Sequence, residues 1–176
     1  MALLAASFPV LSPRDFDWIQ QLRAEHDRDN YDLIDPHLTL VFPAEGIMEG
    51  DFFGHIEAVS DRYAIIPFIL RGAVVFKGSF DDHWYLFLVP EEGFTDLVKL
   101  HDALYTGLLE EELRADIPYI PHITVGVSDN ADVCRGIADN INEARITIKG
   151  QLATIDILRL EDRKIHRIST AHLRNM

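Results

Sequence analysis

Two short segments of this chain carry the residue types and spacing that could do acid–base chemistry. They are Pro36-His37-Leu38-Thr39-Leu40 and Pro121-His122-Ile123-Thr124-Val125. In an extended strand, side chains two apart point to the same face. His37 and Thr39 therefore look into one space, as do His122 and Thr124, while Leu38, Leu40, Ile123 and Val125 turn the opposite way into a core. Opposed across a cleft, such strands bring two imidazoles and two hydroxyls onto one point. That set suits in-line cleavage of a phosphodiester, which needs a base for the nucleophile's proton and an acid for the leaving oxygen. Imidazole serves either role because its ordinary pKa of about 6.5 lies near neutral pH. The threonine hydroxyls supply donors to the non-bridging oxygens. An imidazolium brings positive charge, so the mechanism requires no metal.

One His-x-Thr strand is common and alone would read as structural. Two copies, each following a proline, each in an apolar strand, and 85 positions apart in 176 residues, are much harder to obtain by chance. At these motifs the chain resembles the two-histidine (2H) phosphoesterase superfamily. That superfamily includes the 2′-5′ RNA ligase family of bacteria and archaea and the cyclic phosphodiesterases of RNA and of plants. Both motifs match its His-x-Thr/Ser-hydrophobic pattern, and Ile120-Pro121-His122-Ile123-Thr124 is especially similar to its second motif. The resemblance implies a bilobal α/β (α+β) fold: two antiparallel sheets with flanking helices, related by a pseudo-two-fold axis around a central groove. It also implies His37 and His122 as the catalytic pair and Thr39 and Thr124 as phosphate-binding residues. The expected reaction is hydrolysis of a 2′,3′-cyclic phosphate on a nucleotide or RNA end. The alternatives are 2′-5′ ligation at the same site, in which acid and base exchange roles, and a non-catalytic binder of phosphorylated ligands. Lys77, Trp84, Tyr85 and Tyr119 are candidate pocket residues, each equally readable as an ordinary strand or loop side chain.

The remaining chemistry-bearing residues form weaker patterns. His26, His55, His83, His101, His166 and His172 show no metal-type pairing such as His-x-x-x-His. Asp81-Asp82-His83 sits where a turn is expected and where Asp is favoured anyway. Glu110-Glu111-Glu112 reads as a solvated helix end, and the glycines form no phosphate loop. No metal and no cofactor is therefore expected. Cys134, the single cysteine, has no disulfide partner within the chain and fits a reducing, cytoplasmic setting.

The elements that must position the motifs follow from hydrophobic period and punctuation. Leu3–Val10 reads as a first strand and not as a signal peptide, since no basic stretch precedes it. Ser12 and Pro13 mark a helix start, with Phe16, Ile19 and Leu22 on one face through His26. Residues 27–31 read as loop. Strand His37–Phe42 is closed by Pro43, and helix Asp51–Tyr63 follows. Ile65–Phe76, bent near Pro67 or Gly72, pairs with His83–Val89 across a turn at 78–82. Thr95–Leu113 reads as the longest helix, with Leu97, Leu100, Leu104 and Leu108 on one side. His122–Val127 is a strand and Ala131–Ala144 a helix, and Arg145–Leu160 pairs with Ile165–Leu173 around Glu161–Lys164. Each half thus holds a helix, a motif strand, a helix and a hairpin, so residues 1–176 read as one domain of two lobes with the motifs lining the cleft.

Composition sets the partners. Hydrophobic residues at 48% and charged residues at 26% suit a globular core. No apolar run approaches the ~20 residues of a membrane helix, so no membrane partner is expected. A net charge of −13, without a basic stripe, argues against duplex nucleic acid and for a small phosphorylated substrate or RNA terminus. The chain is expected to act as a monomer.

Overall fold

The computed structural model describes residues 1–79 and 81–175. Its strands are β1 (Ala2–Ser7), β2 (Val10–Leu11), β3 (Leu38–Glu45), β4 (Ile66–Lys77), β5 (Trp84–Glu92), β6 (Ile123–Ser128), β7 (Ile148–Leu152), β8 (Thr154–Glu161) and β9 (Lys164–His172). The helices are α1 (Pro13–His26), α2 (Arg28–Tyr31), α3 (Glu49–Ser60), α4 (Phe94–Leu104) and α5 (Ala131–Glu143), with a 3₁₀ segment at Gly107–Glu112. The strands form two antiparallel sheets, one in the order β3-β1-β8-β9 and the other β2-β7-β4-β5-β6. The two motif strands, β3 and β6, each lie at an edge of a different sheet.

The sheets are not the halves of the sequence. Strand β1, helix α1, motif strand β3, helix α3 and strand β4 form one β-α-β-α-β run. Strand β5, helix α4, motif strand β6, helix α5 and strand β8 form the other, with β7 inserted. In each run the first strand pairs with its own motif strand, while the first helix packs toward the other sheet, α1 on β6 and α4 on β3. The last strand of each run also crosses over, β4 pairing with β5 and β8 with β1. The architectural echo is therefore a pair of interleaved units.

Local chemistry explains most boundaries. The Ser12 hydroxyl accepts from the Asp15 N–H and Pro13 opens α1, which is the capped start expected there. Helix α5 begins the same way, with the Asn130 side chain accepting from Asp132 N–H. The long helix expected over Thr95–Leu113 is instead α4 followed by the 3₁₀ segment. Gly107 at φ +54° breaks the α-helical path, and Leu109, fully buried, replaces Leu108, which stays 44% exposed. Residues 27–31, expected as loop, contain the short helix α2. Pro43 does not end β3, because that strand is an edge where a missing N–H leaves no ladder bond unmade. The strand expected over Arg145–Leu160 divides at Ala153 into β7 and β8, which belong to different sheets. The first expected strand likewise divides, into β1 and the two-residue β2. Registers slip in β4 between Leu70 and Gly72, where a bend was expected. Of the expected turn at 78–82, Asp81 accepts from His83 N–H, while Phe80 lies outside the described residues.

The core forms between sheets and helices. Leu38, Leu40, Ile123 and Val125 are all at 0% exposure, as the alternation in both motifs requires. They pack in one cluster with Phe52 and Ile56 of α3, Leu97, Leu100 and Leu104 of α4, and Ile141 of α5. Gly126 of β6 admits α1 closely, since a Cβ there would lie 3.2 Å from the Cβ of His26.

Candidate active site

Both histidines stand at the entrance of their strands, one residue before β3 and β6. In each, ring Nδ1 meets the backbone carbonyl of the residue two earlier: Asp35 O at 2.9 Å from His37, and Ile120 O at 2.6 Å from His122. A carbonyl only accepts, so Nδ1 must carry the hydrogen in both rings, and the Nε2 lone pair of each is left for chemistry. The buried proline between carbonyl and histidine, Pro36 or Pro121, has its φ locked and fixes this short turn in both copies. The repeated Pro-His pair is thus a device for setting tautomer and ring direction.

The electrostatics favour neutral imidazoles. Burial lowers the His37 pKa, with the buried Arg23 guanidinium pushing the same way against the Asp35 carbonyl and carboxylate. Burial brings His122 down to about 4, with the charge of His37 adding to the depression. The two rings therefore feel each other, and a proton on one opposes a proton on the other.

Their settings differ. The His122 ring stacks on Phe87 of β5, centroids 3.6 Å apart and planes at 18°. Phe87 is the register partner of Thr124, so the same strand pairing sets ring and hydroxyl on one face. His37 meets Phe8 at 6.0 Å and 49°, and Ala6, two residues before Phe8, pairs with Thr39. The loop leading to His37 is pinned by Arg23, which donates to Asn30 O at 3.0 Å and Ile34 O at 2.6 Å. Tyr119 reaches across from the loop before β6 and donates its hydroxyl to Thr39 O at 2.9 Å. Its ring lies flat on buried His101 of α4, at 3.6 Å and 8°.

A family model described as the 2′-5′ RNA ligase superfamily matches residues 9–164, spanning both motifs. The chain belongs to that superfamily. A Bacillus licheniformis protein named as a candidate phosphoesterase is 31% identical over 99 residues, covering 54% of this chain and 54% of that protein. The chain spans between about half and two thirds of the curated relatives it matches. Among solved structures, TT0787 of Thermus thermophilus superposes with a TM-score of 0.64 at 17% identity, over 99% of both chains. E. coli LigT, crystallised with 3′-AMP, gives a TM-score of 0.55 at 16% identity, over 98% of this chain and 97% of LigT. At that identity these two establish the superfamily's fold: two antiparallel sheets with flanking helices.

The other sequence candidates separate in space. Tyr85 shares the face of Phe87, with rings 6.1 Å apart, and its phenol is pushed up to about 12 by burial and its bond to Asp81. Lys77 and Trp84 form the terminal pair of β4 and β5 and turn to the opposite face. There Trp84 receives the cations of Lys77 and Arg135, away from the superfamily motifs. His83 pairs with Asp81 and Asp129 at the hairpin end. Among the described residues no three His, Cys, Asp or Glu side chains gather as metal ligands, and no helix is long and apolar enough to cross a membrane. Sequence reading missed Arg23, Phe8 and Phe87, because an apolar or cationic residue gains a role only through the strand or loop it faces.

Proposed function

We propose that this protein is a phosphoesterase that opens 2′,3′-cyclic phosphates, with His37 and His122 as paired acid and base. The observation that carries the reading is the matched tautomer: each ring spends Nδ1–H on a backbone carbonyl, which leaves the Nε2 lone pair for chemistry, and the charge of His37 adds to the depression of the His122 pKa. In the reaction one neutral imidazole takes a proton from water as its oxygen bonds to phosphorus. The other, protonated, gives its proton to the 2′- or 3′-oxygen as that P–O bond breaks. The two rings end with their protonation exchanged, and Thr39 and Thr124 donate to the non-bridging oxygens. An anionic phosphate between the rings offsets the burial that keeps both neutral, and so admits the single proton that catalysis needs. LigT crystals that hold 3′-AMP support a nucleotide phosphate as the ligand class.

The test is turnover of a 2′,3′-cyclic nucleotide in excess EDTA. Wild type should be active, with a bell-shaped pH dependence reporting the pair's apparent pKa values. Folded His37→Ala and His122→Ala proteins should lose most turnover, the double variant being little worse because the pair works as a unit. Thr39→Ala and Thr124→Ala should each cost roughly 10²–10³ in kcat, the cost of one preorganised donor to developing charge. Activity lost in EDTA and restored by a divalent ion, or near-wild-type rates without either imidazole, would overturn the mechanism.

A further inference from the structure

We infer that Arg167 binds a second phosphate of the substrate, so that the group processed is the end of an RNA strand and not a free cyclic mononucleotide. The inference rests on the reading of His37 and His122 as the reacting pair.

Charge is segregated in this chain. Residues 159–174 hold five of its 16 Lys and Arg but only two of its 29 acids. They make up the end of β8 and all of β9, and β9 is the outer strand of the sheet that carries the first motif. Strand register places Arg167 opposite Leu158, which packs with Leu4, Ala6 and Phe8. Ala6 is the partner of Thr39, so Arg167 shares the face of the reactive threonine. Its guanidinium carbon lies 4.8 Å from the centre of the Phe8 ring, and that ring borders His37.

The guanidinium is held from below. Asp156, with its side chain 3% exposed, lies 3.5 Å from Arg167 and also accepts from the Thr170 hydroxyl. Arg167 itself is 56% exposed, so its remaining donors face outward with the carboxylate beneath them. A planar fork of donors oriented by a buried acid suits a phosphate bidentately. Arg167 touches Phe8, while the charges that reach His37 are those of Arg23 and Asp35. It therefore stands a step beyond the phosphate at the histidines, where the next phosphate of a nucleotide chain would lie. Lys164, exposed at the start of β9, adds a further positive charge to this edge strand.

The experiment compares kcat/KM for 2′,3′-cyclic AMP with that for the dinucleotide ApA ending in a 2′,3′-cyclic phosphate, and for the same dinucleotide with an uncharged methylphosphonate linkage. Wild type should prefer the charged dinucleotide by about tenfold or more, the worth of charge-assisted hydrogen bonds. Arg167→Gln should bring that ratio toward one, Arg167→Lys should recover part of it, and the uncharged linkage should abolish it. Arg71→Gln, an exposed arginine paired with Glu91 and Glu92, should leave the ratio intact. Calorimetric binding of the products, 3′-AMP against the dinucleotide 3′-phosphate, reads the same preference without turnover. A wild-type preference absent in both measurements, or unchanged in Arg167→Gln, would overturn the inference, as would an equal loss on all substrates. No turnover together with an Arg167-dependent binding preference would instead sink the catalytic reading and leave the subsite standing.

Discussion

His122 lies flat on a phenyl ring and His37 is tilted against another, yet both have the same hydrogen bond to a carbonyl two residues back. The shared bond sets the tautomer, and the shared burial sets the charge. Both imidazoles titrate below their ordinary value when folded, so the unfolded chain binds more protons once pH falls below about 6.5. Stability contributed by these groups is fully present above that pH and declines as pH falls toward about 4, the folded value of His122. Urea unfolding at pH 7.5, 6 and 5 should show this decline, to which His122 contributes about 2 kcal/mol over that range. His122→Ala should flatten the slope between pH 6.5 and 4, and a slope unchanged by that substitution would contradict a buried, neutral imidazole. A bound 3′-nucleotide should raise the pair's apparent pKa, read from the imidazole proton shifts in NMR.

At the scale of elements, the motif strands are held from outside their own sheets. Tyr119 ties the loop before β6 to the backbone of β3, and His101 supports its ring from α4. Burial keeps the Tyr119 phenol well above its usual pKa, so it remains a protonated donor to Thr39 O. Tyr105 adds a second tie from the end of α4, its hydroxyl accepting from Phe42 N–H at 2.9 Å. Tyr119→Phe keeps the stack and removes one hydrogen bond, so it should cost about 1 kcal/mol of stability. Because that bond holds the strand that carries Thr39, kcat should fall while KM moves little. Tyr119→Leu should lose the stack as well and fall further in both stability and kcat. Equal kcat in Tyr119→Phe and wild type would show that this tie does not position the site.

At the scale of the whole molecule, interleaving turns two similar runs into one unit. Each sheet takes strands from both halves, with β4 and β5 beside β7 and β6 in one, and β8 and β9 beside β1 and β3 in the other. We propose that residues 1–176 fold as a single domain of two lobes. A fragment of residues 1–82 would carry β1 and β3 without β8, and β4 without β5, leaving apolar strand edges unpaired. It should therefore lack a cooperative unfolding transition by circular dichroism, alone or at concentrations where the intact chain is folded. A folded, cooperatively melting fragment would show the lobes to be separable.

The sequence by itself determined the motifs, their reactive and apolar faces, the capped start of α1 and most elements, because these rest on spacing of two or three to four residues and on local turn chemistry. Leu38, Leu40, Ile123 and Val125 were legible as core for that reason, and the same alternation singled out His37, Thr39, His122 and Thr124 as the candidate site. The break of the helix expected through Leu113 was written locally, in Gly107, but only packing decided that Leu109 and not Leu108 would be buried. The division of the strand at Ala153 was not legible, since its residues keep one strand-like pattern while their partners lie in different sheets. Phe87 under His122, Arg23 behind His37, Tyr119 on Thr39 and Arg167 over Phe8 all join residues far apart in the chain. Those contacts are decided by strand order and register, which only the folded chain has.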